Sequence, residues 1–410
     1  MDSKKNQYFI NGLKVLDLCD RYNTPLYVYD TAKMKEQYNL LINSFKEIDI
    51  KICYACKALT NINVLKFFKS LGSGLDTVSI QEVQLGLKAG FQPQDIIFTP
   101  NCVNLEEYIQ AAELGVIINI DNISILEQFG HHYGNKVPIC IRINPHILAG
   151  GNQKISTGGI DSKFGISIYQ LEHVKKLVEA YNLNIEGMHM HTGSDILDVD
   201  VFLRAAEIML DKAKEFPDLK YIDLGSGFKV AYKEEDISTD IITLGKKLTK
   251  KFNEFCKDYG RKLTLIFEPG KFLVSEAGYF FTRVNVIKQT PSTTFAGVDS
   301  GQNHLIRPMF YDAYHTILNI SRPKNNPRVY NIVGYICETD TFAYNRKIPE
   351  IVEGDVLGFL NAGAYCFAMS SNYNSRYRPV EVLIYNGKDY LIRKRESLED
   401  LTKNQVEIEI

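Results

Sequence analysis

No block of basic residues occurs in this chain; 47 Lys and Arg are interspersed with 49 Asp and Glu, leaving a formal charge of −2. The electrostatic footprint of a nucleic-acid binder is therefore missing, and small-molecule chemistry is the better expectation. No run of about 18 apolar residues is present, and the opening MDSKKNQYFI has no apolar core of signal-peptide length. A chain that neither spans a membrane nor is exported, and that works in the cytoplasm, is expected. The eight cysteines lack paired spacing, which argues against a disulfide framework and for reduced, buried thiols. Cys53 and Cys56 form a C-x-x-C, but no second C-x-x-C or H-x-x-H follows, so no metal site is expected. There is no G-x-G-x-x-G after the first strand candidate, and no internal repeat, linker or low-complexity tract.

What is present is alternation. At 410 residues the chain is long for one domain, so one large domain with a smaller one is expected. Short apolar runs at Ile52–Cys56, Leu75–Val78, Ile96–Thr99, Val116–Ile120, Pro138–Ile143, Ile185–His189, Tyr221–Leu224 and Leu263–Phe267 alternate with amphipathic stretches such as VNLEEYIQAAELG and VFLRAAEIMLDKAKEF. Eight strand–helix pairs predict an α/β fold, a closed (β/α)8 TIM-like barrel. A flat doubly wound sheet is the alternative, and it lacks its glycine fingerprint. TAKMKEQYNLLINSF, ahead of the first strand, is expected to form an extra helix on the barrel exterior. Beyond about residue 275 the texture changes to β-branched and aromatic runs, YFFTRVNVIKQT, RVYNIVGYICET, EGDVLGFLNAG and RPVEVLIYNGKDYLIR, which predict a C-terminal β domain. The opening NQYFINGLKVLDLCDRYNTPLYVYD has a similar character. The expected organisation is a barrel over residues 30–274 and a β domain built from 1–29 and 275–410.

In such barrels the chemistry sits at the C-terminal ends of the strands. There the sequence places Lys57, Asp76, Asn101, Asp121, Arg142 with Asn144, His191 with Ser194, Gly225-Ser226-Gly227, and Glu268-Pro269-Gly270-Lys271. Strand alternation sets Cys53 and Cys56 on opposite faces and puts Cys53, Ala55 and Lys57 on one; two core cysteines are the simpler reading. The glycine turn after the seventh strand suits a phosphate held by backbone N–H groups, although alone it also reads as a tight turn needing positive φ. Lys57 would point into the mouth, where an amine condenses with an aldehyde, whereas most lysines are merely solvated. An aldehyde with a phosphate handle is pyridoxal 5'-phosphate, which also needs a carboxylate for its ring nitrogen and a flat group against its face. Glu268 and His191 would supply both; each is alternatively a hydrogen-bonded core residue.

YACKA around Lys57, GLDTVSIQEV, DSKFGI, HTGSD, GSGF, EPGK, RPMFYDAYH, CETDTF and GAYCFAMSSNYN stand in the order and spacing of the diaminopimelate decarboxylases. From about residue 25 to about residue 385 the chain resembles that family, part of the alanine-racemase-like pyridoxal-phosphate enzymes that also include ornithine and arginine decarboxylases. The resemblance implies a barrel plus β-domain subunit working as a homodimer, with active sites at the subunit boundary. It implies Lys57 as the Schiff-base lysine, His191 stacked on the pyridine ring and Glu268 as partner of the ring nitrogen. Asp76, Ser194, Gly225, Ser226, Gly227, Gly270, Lys271 and Tyr365 are implied around the cofactor, and Lys271, Arg307, Tyr311, Glu338 and Tyr365 around the substrate. Cys337 is implied near the reacting carbon, with Cys337 and Glu338 reaching it from the partner subunit.

Arg307 and Glu338 favour a substrate with both an acid and an amine at its far end, and meso-2,6-diaminopimelate, the family's substrate, would give L-lysine and CO2. Cys337 or Lys57 would return the proton to the reacting carbon. One departure stands out: family members often carry arginine where EPGK has Lys271. Lysine keeps the charge but loses the planar two-pronged donor, so the distal carboxylate would lean more on Arg307. The alternatives are a sibling ornithine- or arginine-type decarboxylase with an acidic distal site, a racemase with a base on each face of the ring, and a non-catalytic cofactor-binding homologue. Gly150-Gly151 and DSKFGI lie on a long loop suited to a lid.

Overall fold

The computed structural model describes residues 1–4, 6–147 and 158–410, so Gly150 and Gly151 of the expected lid lie outside the described residues. The chain divides into two compact units, one of Glu36–Ala231 and Ile237–Leu273, the other of Met1–Lys35, Tyr232–Asp236 and Val274–Ile410.

The first unit is a parallel barrel of eight strands: β1 (Ile50–Ala55), β2 (Gly74–Thr77), β3 (Ile96–Phe98), β4 (Ile117–Ile120), β5 (Ile139–Asn144), β6 (Ile185–His189), β7 (Tyr221–Asp223) and β8 (Thr264–Phe267). Each pairs with the next in chain order, and β8 returns to β1 with Phe267 opposite Ile52, which closes the cylinder. Closure explains the strand composition. With both faces covered, β2 and β3 are buried throughout, and Cys53, Ile97 and Ile266 from three strands form one cluster. All eight expected strands are found, but β1 ends one residue early. Cys56, Lys57 and Ala58 form a 3-10 turn, so strand alternation does not aim Lys57.

Local sequence starts the barrel helices. Asn61, Ser79, Asn104, Asn122, Asp198 and Asp240 each accept a backbone N–H of the first turn, the bond that satisfies an otherwise orphaned donor. The stretch ahead of β1 is a helix, Thr31–Ser44, with Met34, Tyr38 and Leu41 buried on one face. Phe45, just beyond it, packs on Phe267 with ring centroids 4.9 Å apart, and Gln37 Nε2 donates to Phe272 O at 3.3 Å.

The second unit is mainly sheet. Its longest strand, Gly278–Gln289, is flanked on one side by Thr294–Val298, Pro327–Val333 and Thr341–Pro349, and on the other by Leu26–Asp30, Val380–Tyr385 and Lys388–Arg393. Leu26–Asp30 runs antiparallel to Gly278–Gln289 and parallel to Val380–Tyr385. Alternate residues Leu26, Val28, Val380, Val382 and Ile384 join Phe281, Ile10, Leu18 and Cys19 in one core, as a period of two requires. The buried acid Glu381 accepts the Tyr29 hydroxyl at 2.7 Å and pairs with Arg393. Among the described residues no helix is long and apolar enough to cross a membrane.

Asn104 Oδ1 accepts the Glu107 N–H at 3.2 Å. Asn104→Ala is therefore expected to cost the barrel about 1 kcal/mol, read as a lower urea midpoint at unchanged slope, whereas Asn104→Asp should hold the midpoint.

Candidate active site

Backbone hydrogen bonding continues past the strand ends: Ala55 N–H to Pro269 O (3.2 Å), Met190 N–H to Asp223 O (2.9 Å), Leu224 N–H to Ile266 O (3.1 Å) and Glu268 N–H to Gly225 O (2.7 Å). These bonds fix the turns that carry the functional side chains. Ala55 lies opposite Asp76 in the sheet, and Lys57 Nζ, just beyond, donates to Asp76 Oδ2 at 3.2 Å. The lysine side chain is 42% exposed and Asp76 only 1%. Burial first, then the charge of Glu268, push the Asp76 carboxyl up to about 7 against the pull of Lys57. An acid so tuned can exchange a proton with the amine near neutral pH.

Glu268 is buried beside β6 and β7. His189 Nε2 lies 3.0 Å from its Oε2, while Oε1 is buried with no hydrogen-bond partner among the described residues. Burial works to raise this carboxyl, but His189, Lys57 and Asp223 together bring it well below the usual range. Asp223 goes the other way: burial, then the charge of Glu268, raise it well above that range. Its Oδ1 accepts the Gly225 N–H at 2.8 Å. His189 and Asp223 are not anticipated by the sequence reading. The available signals were the i, i+2 histidines of MHMH and an acid two residues ahead of the glycine turn in YIDLGSG.

His191 Nδ1 accepts the Ser226 N–H at 3.3 Å, which puts the ring proton of the neutral form on Nε2. Burial, reinforced by Arg142, Lys57 and His189, holds its pKa well below the ordinary histidine value. The glycines of the turn are obligatory. Gly225 has φ +62, and a Cβ there would lie 2.7 Å from His191 Nδ1; Gly227 has φ +106, and a Cβ would lie 2.2 Å from Gly193 O. Two of the turn's amides point inward, Gly225 N–H to Asp223 and Ser226 N–H to His191. Gly270 packs against Ala55 and Ala58, near enough that an added Cβ would lie 3.0 Å from Ala58. Lys271, 9% exposed, donates to Asp195 Oδ1 at 2.7 Å, next to half-buried Ser194.

The remaining strand-end residues serve the DSKFGI segment. Asn101 Nδ2 donates to Asp121 Oδ2 (2.5 Å) and Lys163 O (3.3 Å), Asn144 Nδ2 donates to Gly159 O (3.0 Å), and the Arg142 guanidinium lies 4.9 Å from the Phe164 ring centroid. Ile166–Ser167 then pairs with β5.

The second unit carries the other candidates in two groups. Arg307, buried at the start of the short helix Arg307–Tyr311, donates from Nη1 to Tyr232 Oη at 3.0 Å and lies 3.4 Å from His315 Nε2. His315 Nδ1 donates to Leu360 O at 2.9 Å, leaving Nε2 as the acceptor. Among the described residues Arg307 makes no ion pair, and its buried Nε has no partner. The Tyr311 hydroxyl lies 4.0 Å from Met369 Sδ. In the second group Glu338, exposed, accepts Gln302 Nε2 (2.8 Å) and the Tyr373 hydroxyl (2.5 Å), bonds that hold its carboxyl below the usual range. Cys337 Sγ accepts Asn374 Nδ2 at 3.3 Å. Tyr365 has φ +58, uncommon for an aromatic residue and a mark of local strain. Tyr232, Gln302 and Tyr373 escape sequence reasoning because each lies far along the chain from the group it holds, whereas His315 ends RPMFYDAYH, eight residues after Arg307.

The barrel residues fit pyridoxal phosphate: an exposed amine beside a titratable carboxyl, a neutral imidazole set by a glycine turn, and an ionised carboxylate with one unpartnered oxygen. Residues 31–275 match the family model "Pyridoxal-dependent decarboxylase, pyridoxal binding domain". The chain is 39% identical to the diaminopimelate decarboxylase of Methanothermobacter thermautotrophicus over 98% of this chain and 96% of that protein. Its fold is similar to that of the diaminopimelate decarboxylase of Methanocaldococcus jannaschii (TM-score 0.91, 31% identity, 99% of this chain and 98% of that one). It is also similar to that of the Helicobacter pylori diaminopimelate decarboxylase complexed with L-lysine (TM-score 0.88, 33% identity, 95% and 98%).

Gly225→Ala combines a left-handed backbone penalty with a clash on His191. At about 1–2 kcal/mol it should weaken pyridoxal-phosphate binding roughly five- to thirtyfold, measured by titrating cofactor-free protein. Unchanged affinity would place the turn away from the cofactor.

Proposed function

The chain belongs to the diaminopimelate decarboxylases, within the pyridoxal-dependent decarboxylase family, and on that premise we propose that it converts meso-2,6-diaminopimelate to L-lysine and CO2. The observation that carries the reading is the pairing, on one barrel mouth, of the Lys57 amine with a buried, ionised Glu268 whose second oxygen is unpartnered.

Pyridoxal phosphate, when bound, supplies an aldehyde for the amine and a protonated ring that accepts the electron pair left by loss of CO2. The chain's own residues do the rest. Asp76 Oδ2 takes a proton from Lys57 Nζ, presenting the amine uncharged. Glu268, ionised and with Oε1 unpartnered among the described residues, would hold the ring nitrogen and keep it protonated. The neutral His191 ring would serve as the flat group at the cofactor's face without adding a competing charge. Ser194, Gly225, Ser226, Gly227 and Gly270 would hold the phosphate from the barrel side, and Tyr365 would be a further contact.

Arg307, buried and without an acid beside it, takes the distal carboxylate, helped by Tyr311, while Glu338 takes the distal ammonium. A buried guanidinium lacking an anionic partner is costly, so a carboxylate arriving there is favoured. The working form is a cytoplasmic homodimer in which exposed Cys337 and Glu338 serve the site of a second copy, Cys337 or Lys57 returning the proton to carbon. The exposure of both, and the Gln302 and Tyr373 bonds that orient Glu338, support that arrangement.

The test is CO2 release from a panel of amino acids offered to the cofactor-loaded protein. Release from diaminopimelate alone supports the reading; release from ornithine or arginine instead revives the sibling enzymes, and none at all leaves a carrier. Borohydride reduction followed by peptide mapping should label Lys57 and no other lysine.

Arg307→Leu separates substrate recognition from structure. A charge-assisted carboxylate pair is worth about 1.5–3 kcal/mol, so use of diaminopimelate should fall roughly ten- to a hundredfold. Lysine or ornithine, which lack the distal carboxylate, should be little affected at matched dimer content. An equal loss on all substrates would assign Arg307 to structure.

A further inference from the structure

Glu268 does not stand alone in the barrel mouth. Polar atoms of His189, Asp223 and Glu268 all lie within 4.8 Å of one another, and all three residues are buried. We propose that His189 and Asp223 are positioning residues that act as two neutral hydrogen-bond donors to Glu268, fixing its charge and turning Oε1 alone toward the ring nitrogen. The proposal rests on the cofactor reading above.

Hydrogen-bond accounting carries it. His189 Nε2 lies 3.0 Å from Glu268 Oε2, and His189 Nδ1 is buried with no partner among the described residues. One proton on Nε2 leaves a bare lone pair on Nδ1, whereas a proton on Nδ1 would bury an unpaired donor and set two acceptors against each other. The ring is therefore neutral and donates from Nε2, in keeping with the depression of its pKa by burial. Asp223 Oδ1 accepts the Gly225 N–H, and its side chain shares a hydrogen bond with Glu268, the two carboxyls lying within 4.8 Å of each other. Two adjacent buried carboxyls cannot both ionise, and Asp223 is the one that keeps the proton.

The groups around Glu268 agree with a single retained charge. Lys57 in the turn after β1, Arg142 on β5, and Asp76 on β2 act on it, with His191 beyond β6 neutral. The thiols of Cys53 on β1 and Cys140 on β5 are held protonated by burial. Neutral donors stabilise the carboxylate without cancelling it, so the full charge stays available at Oε1 for the ring N–H.

The test uses the visible absorbance of the cofactor-loaded protein against pH, with kcat and KM measured beside it. Asp223→Asn mimics a protonated acid, its amide donating to Glu268 while its oxygen still accepts Gly225 N–H; it should leave the acid limb of both profiles where it is. Asp223→Leu and His189→Leu each remove a donor, so Glu268 should capture a proton at higher pH. The acid limb should rise by about one unit, a tenfold change, in kcat more than in KM, and His189→Asn should restore part of it.

A wild-type limb in His189→Leu, or a limb in Asp223→Asn displaced as far as in Asp223→Leu, overturns the proposal. If the leucine variants fail to fold, Asp223→Asn alone decides it. The same three donors would suit a divalent cation if Asp223 were ionised; stoichiometric zinc retained by wild type and lost in Asp223→Asn would also overturn it. Failure of the parent reading looks different, since wild type would then show no cofactor absorbance at all.

Discussion

The negative charge of Glu268, buried at the strand ends, is the constraint around which the barrel mouth is arranged. A lone carboxylate in that position would neutralise itself by binding a proton. Here His189 donates to it, Asp223 gives up its own ionisation beside it, and Lys57 and Arg142 supply positive potential from other strands. Asp76 bears part of the cost, its carboxyl displaced toward neutral pH by burial and by Glu268. The two acids, Glu268 and Asp76, are thus set apart by their surroundings, one held ionised and the other displaced toward neutral pH, a difference that two equivalent carboxylates could not show.

Such tuning needs fixed distances, and the backbone provides them. The bonds from Ala55 to Pro269 and from Glu268 to Gly225 extend barrel pairing into the turns, so the functional side chains ride on sheet-like backbone rather than on loose loops. An equivalent device orders the CETD turn of the second unit. Asp340 accepts Gln302 N–H (2.7 Å) and Ile336 N–H (3.1 Å). Gly301 and Gly334 leave it room, since a Cβ at either would come within 2.6 Å and 2.1 Å of Oδ2. Asp340 therefore holds both the turn that bears Cys337 and Glu338 and the backbone of Gln302, whose side chain reaches Glu338.

The Lys271 side chain is engaged within the barrel unit. Its ammonium is paired with Asp195 at 2.7 Å, and the pair as a whole is neutral. Arg307, by contrast, makes no ion pair among the described residues and donates to Tyr232, with His315 beside it. Of the two cations, it is therefore Arg307 whose fork is left without an acidic partner among the described residues.

Periodicity and local chemistry made much of this legible in the sequence. Eight apolar runs, the polar residue at the end of each, and the change of texture near residue 275 are short-range signals, and they named the barrel, Lys57, His191, the 225–227 turn and Glu268. Strand alternation misjudged Lys57, because a 3-10 turn ends β1 at Ala55 and the register with Asp76 then sets where the amine lies. What pattern could not supply were long-range pairings: His189 with Glu268, 79 residues apart, and Lys271 with Asp195, 76 apart, in the barrel, and Arg307 with Tyr232, 75 apart, in the second unit. A residue's type and its neighbours dictate the local element and the chemistry available. Which buried groups share a proton, and which keep a charge, is decided by long-range contacts and the desolvation they impose, and those exist only once the chain has folded.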